Sequence, residues 1–287
     1  MPAMTTIGIV SPGAMGSALG RAWQAGGATV VATVAGRSER TRRLAEGLTL
    51  LEDLDGVVAR SDLVVSVCPP EAAGDALSAV LASAAALGVR PLVADLNAVA
   101  PATVEEYAVR ADAAGIELVD GSISGGPPVP GGDTLLYLSG RRAASLAELP
   151  ADGIRAQVVG DRVGVASGVK MCTASVYKGT TALWAQALQT AHELGVLDVV
   201  LADLRERFPE TADRAARLVA TATSKSARFV AEMEAIAATQ RAAGASGELF
   251  EGMAAVYRRL SATPLAALTP EQARAVDDLD QVLRRLR

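Results

Sequence analysis

The sequence predicts an α/β protein in which a doubly wound sheet in the N-terminal half is followed by an all-α C-terminal half, the two joined by a long helix. Three observations carry this. Hydrophobic runs of four to six residues alternate with helical patterns from Ile7 to Gly160, as strands buried on both faces by crossover helices require. A glycine turn, SPGAMG at residues 11–16, separates the first strand from the first helix. Beyond Asp161 no strand-like run remains, and the chain becomes an Ala- and Leu-rich helical pattern to its end. The expected domains are therefore residues 1–161 and 162–287.

Composition narrows the function. The 287 residues are 50% hydrophobic, enough for two cores. A formal net charge of −5 and an aromatic share of 3% provide neither a basic field nor a stacking surface, so nucleic acid is excluded as a partner. The chain enters a strand by Ile7 without a basic leader, and no apolar run approaches the roughly 18 residues of a membrane span. A cytoplasmic protein with no membrane partner is expected. Cys68 and Cys172 are too few for a metal site, so no metal is expected and both read as reduced thiols. His192 sits near a helix end, where a cation suits the last turn, and is not read as a catalytic base.

Taken in order, TTIGIV is the first strand, SPGAMG the turn, SALGRAWQA a helix and ATVVATVA the second strand. This βαβ context makes the turn a dinucleotide fingerprint and the domain Rossmann-type. Ser11 occupies the place of the first glycine, while Gly13 and Gly16 keep the other two. Gly13 admits a pyrophosphate close to the backbone, Pro12 stiffens the turn, and the helix start at Ala14 and Met15 aims its amides at the phosphates. After the second strand an NAD site usually offers an acid, but here Ala35 and Gly36 lead into Arg37 and Ser38. A guanidinium and a hydroxyl suit a 2′-phosphate, so NADP is preferred over NAD.

DLVVSVCPPEA, PLVADLNAVAP and IELVDGSISGGPP are read as further strands, each ending in a loop. In a doubly wound sheet ligands bind beyond the carboxyl ends of the strands, which places Val67, Cys68, Pro69, Asn97, Ser124, Gly125 and Gly126 around the cleft. TLLYLSG and AQVVG complete the strands. Helices are expected over Leu197 to Arg207, Glu210 to Thr223, Ser224 to Ala243, Ser246 to Leu260 and Pro270 to Leu286, punctuated by Pro209, Gly244, Pro264 and Pro270. Their Ala- and Leu-rich faces exceed what one copy covers, so a homodimer through the helical half is expected.

The joining helix begins GVASGVKMCTASVYKG. Lys170, Thr173, Ala174, Tyr177 and Thr181 fall on one side of it at about 100° per residue. Lys170 is either a solvated surface lysine or the acid/base of a reaction. Other designs are absent from the chain: none of Tyr107, Tyr137, Tyr177 and Tyr257 is followed four residues on by Lys, and there is no Cys/His set for catalytic zinc and no spare histidine. Burial beside a cofactor lowers a lysine's pKa toward neutrality, which lets it take a proton from an alcohol as hydride leaves. Ser124 and the amides of Gly125 and Gly126 are available to an anionic substrate group.

On IGIVSPGAMG, GRS, VCPP, DLNAVAP, DGSISGG and GVASGVKM the chain resembles, nearly end to end, the β-hydroxyacid dehydrogenases related to 3-hydroxyisobutyrate and 6-phosphogluconate dehydrogenases. It is most similar to the branch whose helical C-terminal domain has no assigned function. The resemblance implies that Lys170 is the acid/base, that Ser124, Gly125 and Gly126 hold the substrate, and that Asn97 lies near the nicotinamide. Four residues after the lysine the family usually has a substrate-binding Asn, whereas this chain has Ala174, so its substrate contacts differ. Tyr177, further along the same side, offers a hydroxyl in place of that Asn. Lys225 and Arg228 both compete for a second basic contact from the helical half. Imine reductases share this architecture but usually have Asp or Tyr at the position of Lys170, which makes imine reduction the second enzyme reading. An NADP-binding sensor without turnover is the reading from another class, favoured by Ser11 and Ala174 and opposed by Lys170.

Overall fold

Among the described residues eight short strands form one sheet: β1 (Thr6–Ile9), β2 (Thr29–Thr33), β3 (Thr49–Leu51), β4 (Leu63–Ser66), β5 (Leu92–Asp95), β6 (Leu118–Ser124), β7 (Thr134–Ser139) and β8 (Ile154–Gly160). The computed structural model describes residues 5–286. Strand order is β3-β2-β1-β4-β5-β6-β7-β8, with the first six parallel. The winding reverses between β1 and β4, the switch point at which such sheets open a crevice.

Between the strands run α1 (Ala14–Ala25), α2 (Glu39–Leu44), α3 (Leu54–Arg60), α4 (Ala73–Leu87), α5 (Pro101–Ala113) and α6 (Ala143–Ala147). Side chains alternate across each strand, so neighbours in sequence serve opposite layers. Ile7, Ile9 and Val65 pack with Leu19 and Trp23 of α1 on one face, while Val64 and Val93 pack with Leu77, Val80 and Val104 of α4 and α5 on the other.

Two features of the sheet differ from the sequence reading. β3 is an added edge strand; its TLL run is too short to stand out from the loop after Gly47. β7 runs antiparallel to β6, while β8 is again parallel to β7. The segment between β6 and β7 holds no helix, so the chain doubles back as a hairpin instead of crossing over.

The chain divides into two compact units, Met1–Met171 and Cys172–Arg287. The division falls within α7 (Val165–Glu193) and not at Asp161. The second unit continues with α8 (Leu197–Arg207), α9 (Pro209–Ala212), α10 (Ala215–Thr223), α11 (Ser226–Ala242), α12 (Glu248–Ser261), α13 (Pro270–Arg274) and α14 (Leu279–Arg284). Two expected helices are each broken in two. Arg214 leaves helical geometry at φ −108° and ψ 9° between α9 and α10. Asp278 is extended and accepts from the Gln281 amide, so it starts α14 as a fresh cap. Phe229 of α11 meets Tyr257 of α12 edge to face at 5.2 Å, above the fully buried Met233 and Ile236. Among the described residues no helix is long and apolar enough to cross a membrane.

Candidate active site

The turn after β1 shows why two of its glycines are kept. A Cβ on Gly16 would sit 2.3 Å from the Ser11 carbonyl oxygen and 3.0 Å from Val67, so α1 can approach its strand only if residue 16 lacks a side chain. A Cβ on Gly13 would meet nothing within 4 Å, so the space beside it is open. Ser11 replaces glycine without strain, since no described non-glycine residue has a positive φ. Its carbonyl accepts from the Gly13 amide at 2.8 Å. Gly13 caps α1 without a side-chain hydrogen bond, and the first turn carries no acid, so the helix start at Ala14 and Met15 is suited to an anion.

Gly16→Ala tests this turn. Backbone must move to relieve the clash, costing about 1–3 kcal/mol. The variant is expected to melt lower than wild type by scanning fluorimetry; an unchanged melting curve contradicts the packing described.

Beyond β2 the backbone turns at Gly36 (φ 68°), and the Arg37 amide donates to the Val34 carbonyl at 3.1 Å. Arg37 and Ser38 are exposed. Ser38 caps α2 by accepting from the Thr41 amide, so its hydroxyl already has work in the fold. Burial pushes the Cys68 thiol up, with the Ser66 hydrogen bond and then the charge of Arg37 opposing the rise.

Asn97 is 2% exposed. Its side-chain amide donates to Ser66 Oγ at 3.0 Å and to Asp95 Oδ2 at 2.8 Å, and its Oδ1 accepts from the Cys68 amide at 2.6 Å. Asn97 therefore clamps the loops after β4 and β5 together; Val67, Cys68 and Pro69 owe their position to it. Burial pushes the Asp95 carboxyl up to about 6, against the two bonds it accepts from Asn97, and the nearby Asp120 adds to the rise.

Asp120, with no exposed surface, organises the start of α7. Its Oδ2 accepts from the Gly164 and Ser167 amides at 2.9 and 3.0 Å and from Ser139 Oγ at 2.9 Å; its Oδ1 accepts from Ser167 Oγ at 2.7 Å. A carboxylate on β6 thus caps a helix more than 40 residues later. Ser122 adds a bond to the Ala166 carbonyl, and Ser139 receives the Ala166 amide. One and a half turns on, Lys170 Nζ donates to the Ile123 carbonyl at 2.6 Å. Ile123 is followed by Ser124, the last residue of β6, then by Gly125 at φ 113° and by Gly126, whose carbonyl accepts from Thr134 Oγ1. Lys170 and the Ser124–Gly126 loop are thereby brought together within the first unit.

The remaining expected residues belong to the second unit. Ala174 is buried and Tyr177 is 69% exposed. Arg228 is held by the buried Glu232, its Nε 3.1 Å from Oε1, whereas Lys225 and Tyr177 line a cavity of that unit. Among the described residues no cluster of His, Cys, Asp and Glu is arranged to hold a metal ion.

The residues that sequence reasoning missed are Asp95, Asp120, Ser139 and Ser167. Their signal was an acid inside each of two apolar strand runs, VAD and LVD, because a buried carboxylate needs donors.

Residues 6–150 match the family model of the NAD binding domain of 6-phosphogluconate dehydrogenase, and residues 191–260 match a domain of unknown function, DUF1932. An uncharacterized 28.5 kDa protein of Methanothermus fervidus is 30% identical over 175 residues; the match covers 60% of this chain and 66% of that protein, just under two thirds of its length. The solved structure of the conserved protein MTH1747, described as similar to 3-hydroxyacid dehydrogenases, is 25% identical with a TM-score of 0.68, covering 89% of this chain and 96% of that one. Mycobacterium tuberculosis 3-hydroxyisobutyrate dehydrogenase, solved with L-serine, shares the fold at 19% identity and a TM-score of 0.70, covering 99% of each chain. Imine reductases share the fold as well. With half its length matched, strand order and glycine turn included, the chain belongs to the family defined by the NAD binding domain of 6-phosphogluconate dehydrogenase.

Proposed function

We propose that this protein is an NADP-linked oxidoreductase that moves hydride between the nicotinamide and a small anionic hydroxyacid or its carbonyl partner, with Lys170 as general acid/base. The observation that supports it most is the placement of Lys170 Nζ at the end of β6, 2.6 Å from the Ile123 carbonyl and beside the Ser124–Gly126 loop. When bound, the nicotinamide cofactor supplies the hydride chemistry. Gly13 and the amides of Ala14 and Met15 hold its pyrophosphate, and the loops of Val67, Cys68 and Pro69, fixed by Asn97, wall the crevice. Ser124 and the amides of Gly125 and Gly126 orient the substrate's anionic group. Lys170 takes the hydroxyl proton in oxidation and returns it to the carbonyl oxygen in reduction.

The 2′-phosphate is assigned to Arg37, exposed at the end of β2 where no acid stands. Arg37→Ala is expected to weaken NADPH binding about 10- to 100-fold, the worth of a charge-assisted contact, with NADH binding little changed. A fluorescence titration reads both. Tighter NADH than NADPH binding by wild type sinks the assignment.

Imine reduction is the second reading, supported by the shared fold with imine reductases; Lys170 favours the hydroxyacid. Turnover of cyclic imines but of no hydroxyacid reverses the choice.

We also infer a homodimer through the helical half. Val176 and Leu183 lie on one stripe of α7 and Leu194 directly follows its end; they are 63%, 63% and 70% exposed, with Val199 and Phe208 exposed nearby in sequence. Light scattering is expected to give twice the 29.3 kDa chain mass, and a Leu183→Asp/Leu194→Asp double variant is expected to be monomeric. A monomeric wild type contradicts the inference.

A further inference from the structure

The second unit contains a cavity of about 550 Å³ with an unusual charge balance. Arg214, Arg217, Lys225, Arg274 and Lys178 contribute to its wall, and among the described residues that line it there is no carboxylate. The whole chain carries more acids than bases, 32 against 27. Several other arginines of the chain stand beside an acid one turn away, as in Arg43 with Glu39, Arg207 with Asp203 and Arg284 with Asp280.

Two of the five cations have answers within the fold. Lys178 pairs with the buried Glu232, and Arg214 has the Glu210 carboxylate at 3.9 Å. For Arg217, Lys225 and Arg274 there is no ion-pair partner within 4 Å among the described residues. Lys225 is partly buried, and its pKa is lowered by desolvation first and then by the charges of Arg228 and Arg274, with Glu271 opposing. Lys225 and Arg274 therefore stand close enough to repel, and Arg217 lines the same cavity, so a bound anion would relieve that repulsion.

The rest of the wall describes the body of that anion. Leu218, Ala222 and Phe229 provide an apolar patch, and Thr211 and Thr221 add hydroxyls. The volume lies in the range of small-molecule sites. A monoanion would leave two of the three cations unanswered, whereas guanidinium forks bind carboxylate and phosphate oxygens in pairs.

We propose that this cavity binds a small organic dianion, its negative charges held by Arg217, Lys225 and Arg274 and its apolar body resting on Leu218, Ala222 and Phe229. The site is built from the second unit alone and stands whether or not the chain transfers hydride.

The test is titration calorimetry on the full-length protein at low ionic strength with phenylphosphate, glutarate and butyrate. Saturable binding of at least one dianion is expected, with butyrate at least tenfold weaker; the stronger of the two dianions tells a phosphoryl occupant from a dicarboxylate. In an Arg217→Ala/Arg274→Ala double variant the affinity for that dianion is expected to fall at least tenfold. Both arginines are exposed, so the fold is expected to hold, and far-ultraviolet circular dichroism checks it. Should the double variant lose its fold, Arg217→Gln/Arg274→Gln takes its place in the same titration. Arg258→Ala, which removes an arginine paired with Glu234 outside the cavity, is expected to bind as wild type does. Absence of saturable binding by either dianion, equal binding of butyrate, or undiminished binding by the double variant overturns the proposal. None of these readouts depends on turnover.

Discussion

Lys170→Ala is expected to lower kcat/KM at least about a hundredfold, the smaller end of what a positioned acid/base supplies, while leaving NADPH affinity within about twofold. The two halves of that expectation come from different parts of the first unit. The dinucleotide turn at Gly13 and Gly16 and the basic residue Arg37 lie on the β1 and β2 loops, whereas Lys170 is fixed by the end of β6 through the Ile123 carbonyl. Removing the amine is therefore expected to take away the proposed acid/base without disturbing the turn after β1. Single-turnover kinetics separates this from a packing defect: a lost acid/base slows hydride transfer itself, and Lys170→Arg, which keeps the charge but holds its proton, is not expected to restore it. Rates that survive in Lys170→Ala assign the lysine to the solvated-surface reading.

The largest expected effect on stability is at Asp120. Asp120→Ala leaves the buried amides of Gly164 and Ser167 without their acceptor and strips a carboxylate from the positive end of a 29-residue helix. Each orphaned donor costs about 1–3 kcal/mol, so a total of roughly 3–5 kcal/mol is expected, a large share of a typical folding free energy. Asp120→Asn keeps one oxygen for the two amides and is expected to recover at least half of that. Urea unfolding of the two variants measures the difference. Because Asp120 also holds the turn before Lys170, both variants are expected to lose activity beyond their loss of stability. Equal stability of Asp120→Ala and wild type removes the capping role.

The alternation of apolar runs with helical patterns made the parallel sheet readable, and the glycine turn after β1 was readable because its chemistry is local. Lys170 was readable as a candidate because the chain has a single histidine, no Tyr-x-x-x-Lys pair and no Cys/His set for catalytic zinc. Its anchoring was not, since Asp120 lies 44 residues before Gly164 and nothing in either neighbourhood names the other. Asn97 illustrates the opposite limit. Its position at the carboxyl end of β5 follows from the sequence, but whether its amide faces a ligand or the neighbouring loop depends on Ser66, Asp95 and Cys68, which only the folded sheet assembles. The broken helix at Asp278 was within reach: an acid followed three residues later by Gln is a start signal, hidden inside a pattern read as continuous.

The nicotinamide absorbance band, followed with NADPH or NADP⁺ against β-hydroxyacids, aldehyde-acids and cyclic imines, tests the central claim most directly. Turnover of at least one hydroxyacid or aldehyde-acid by wild type, abolished in Lys170→Ala while NADPH still binds, is the predicted result. NADPH binding with no turnover of any member of the panel, or turnover undiminished by Lys170→Ala, contradicts it.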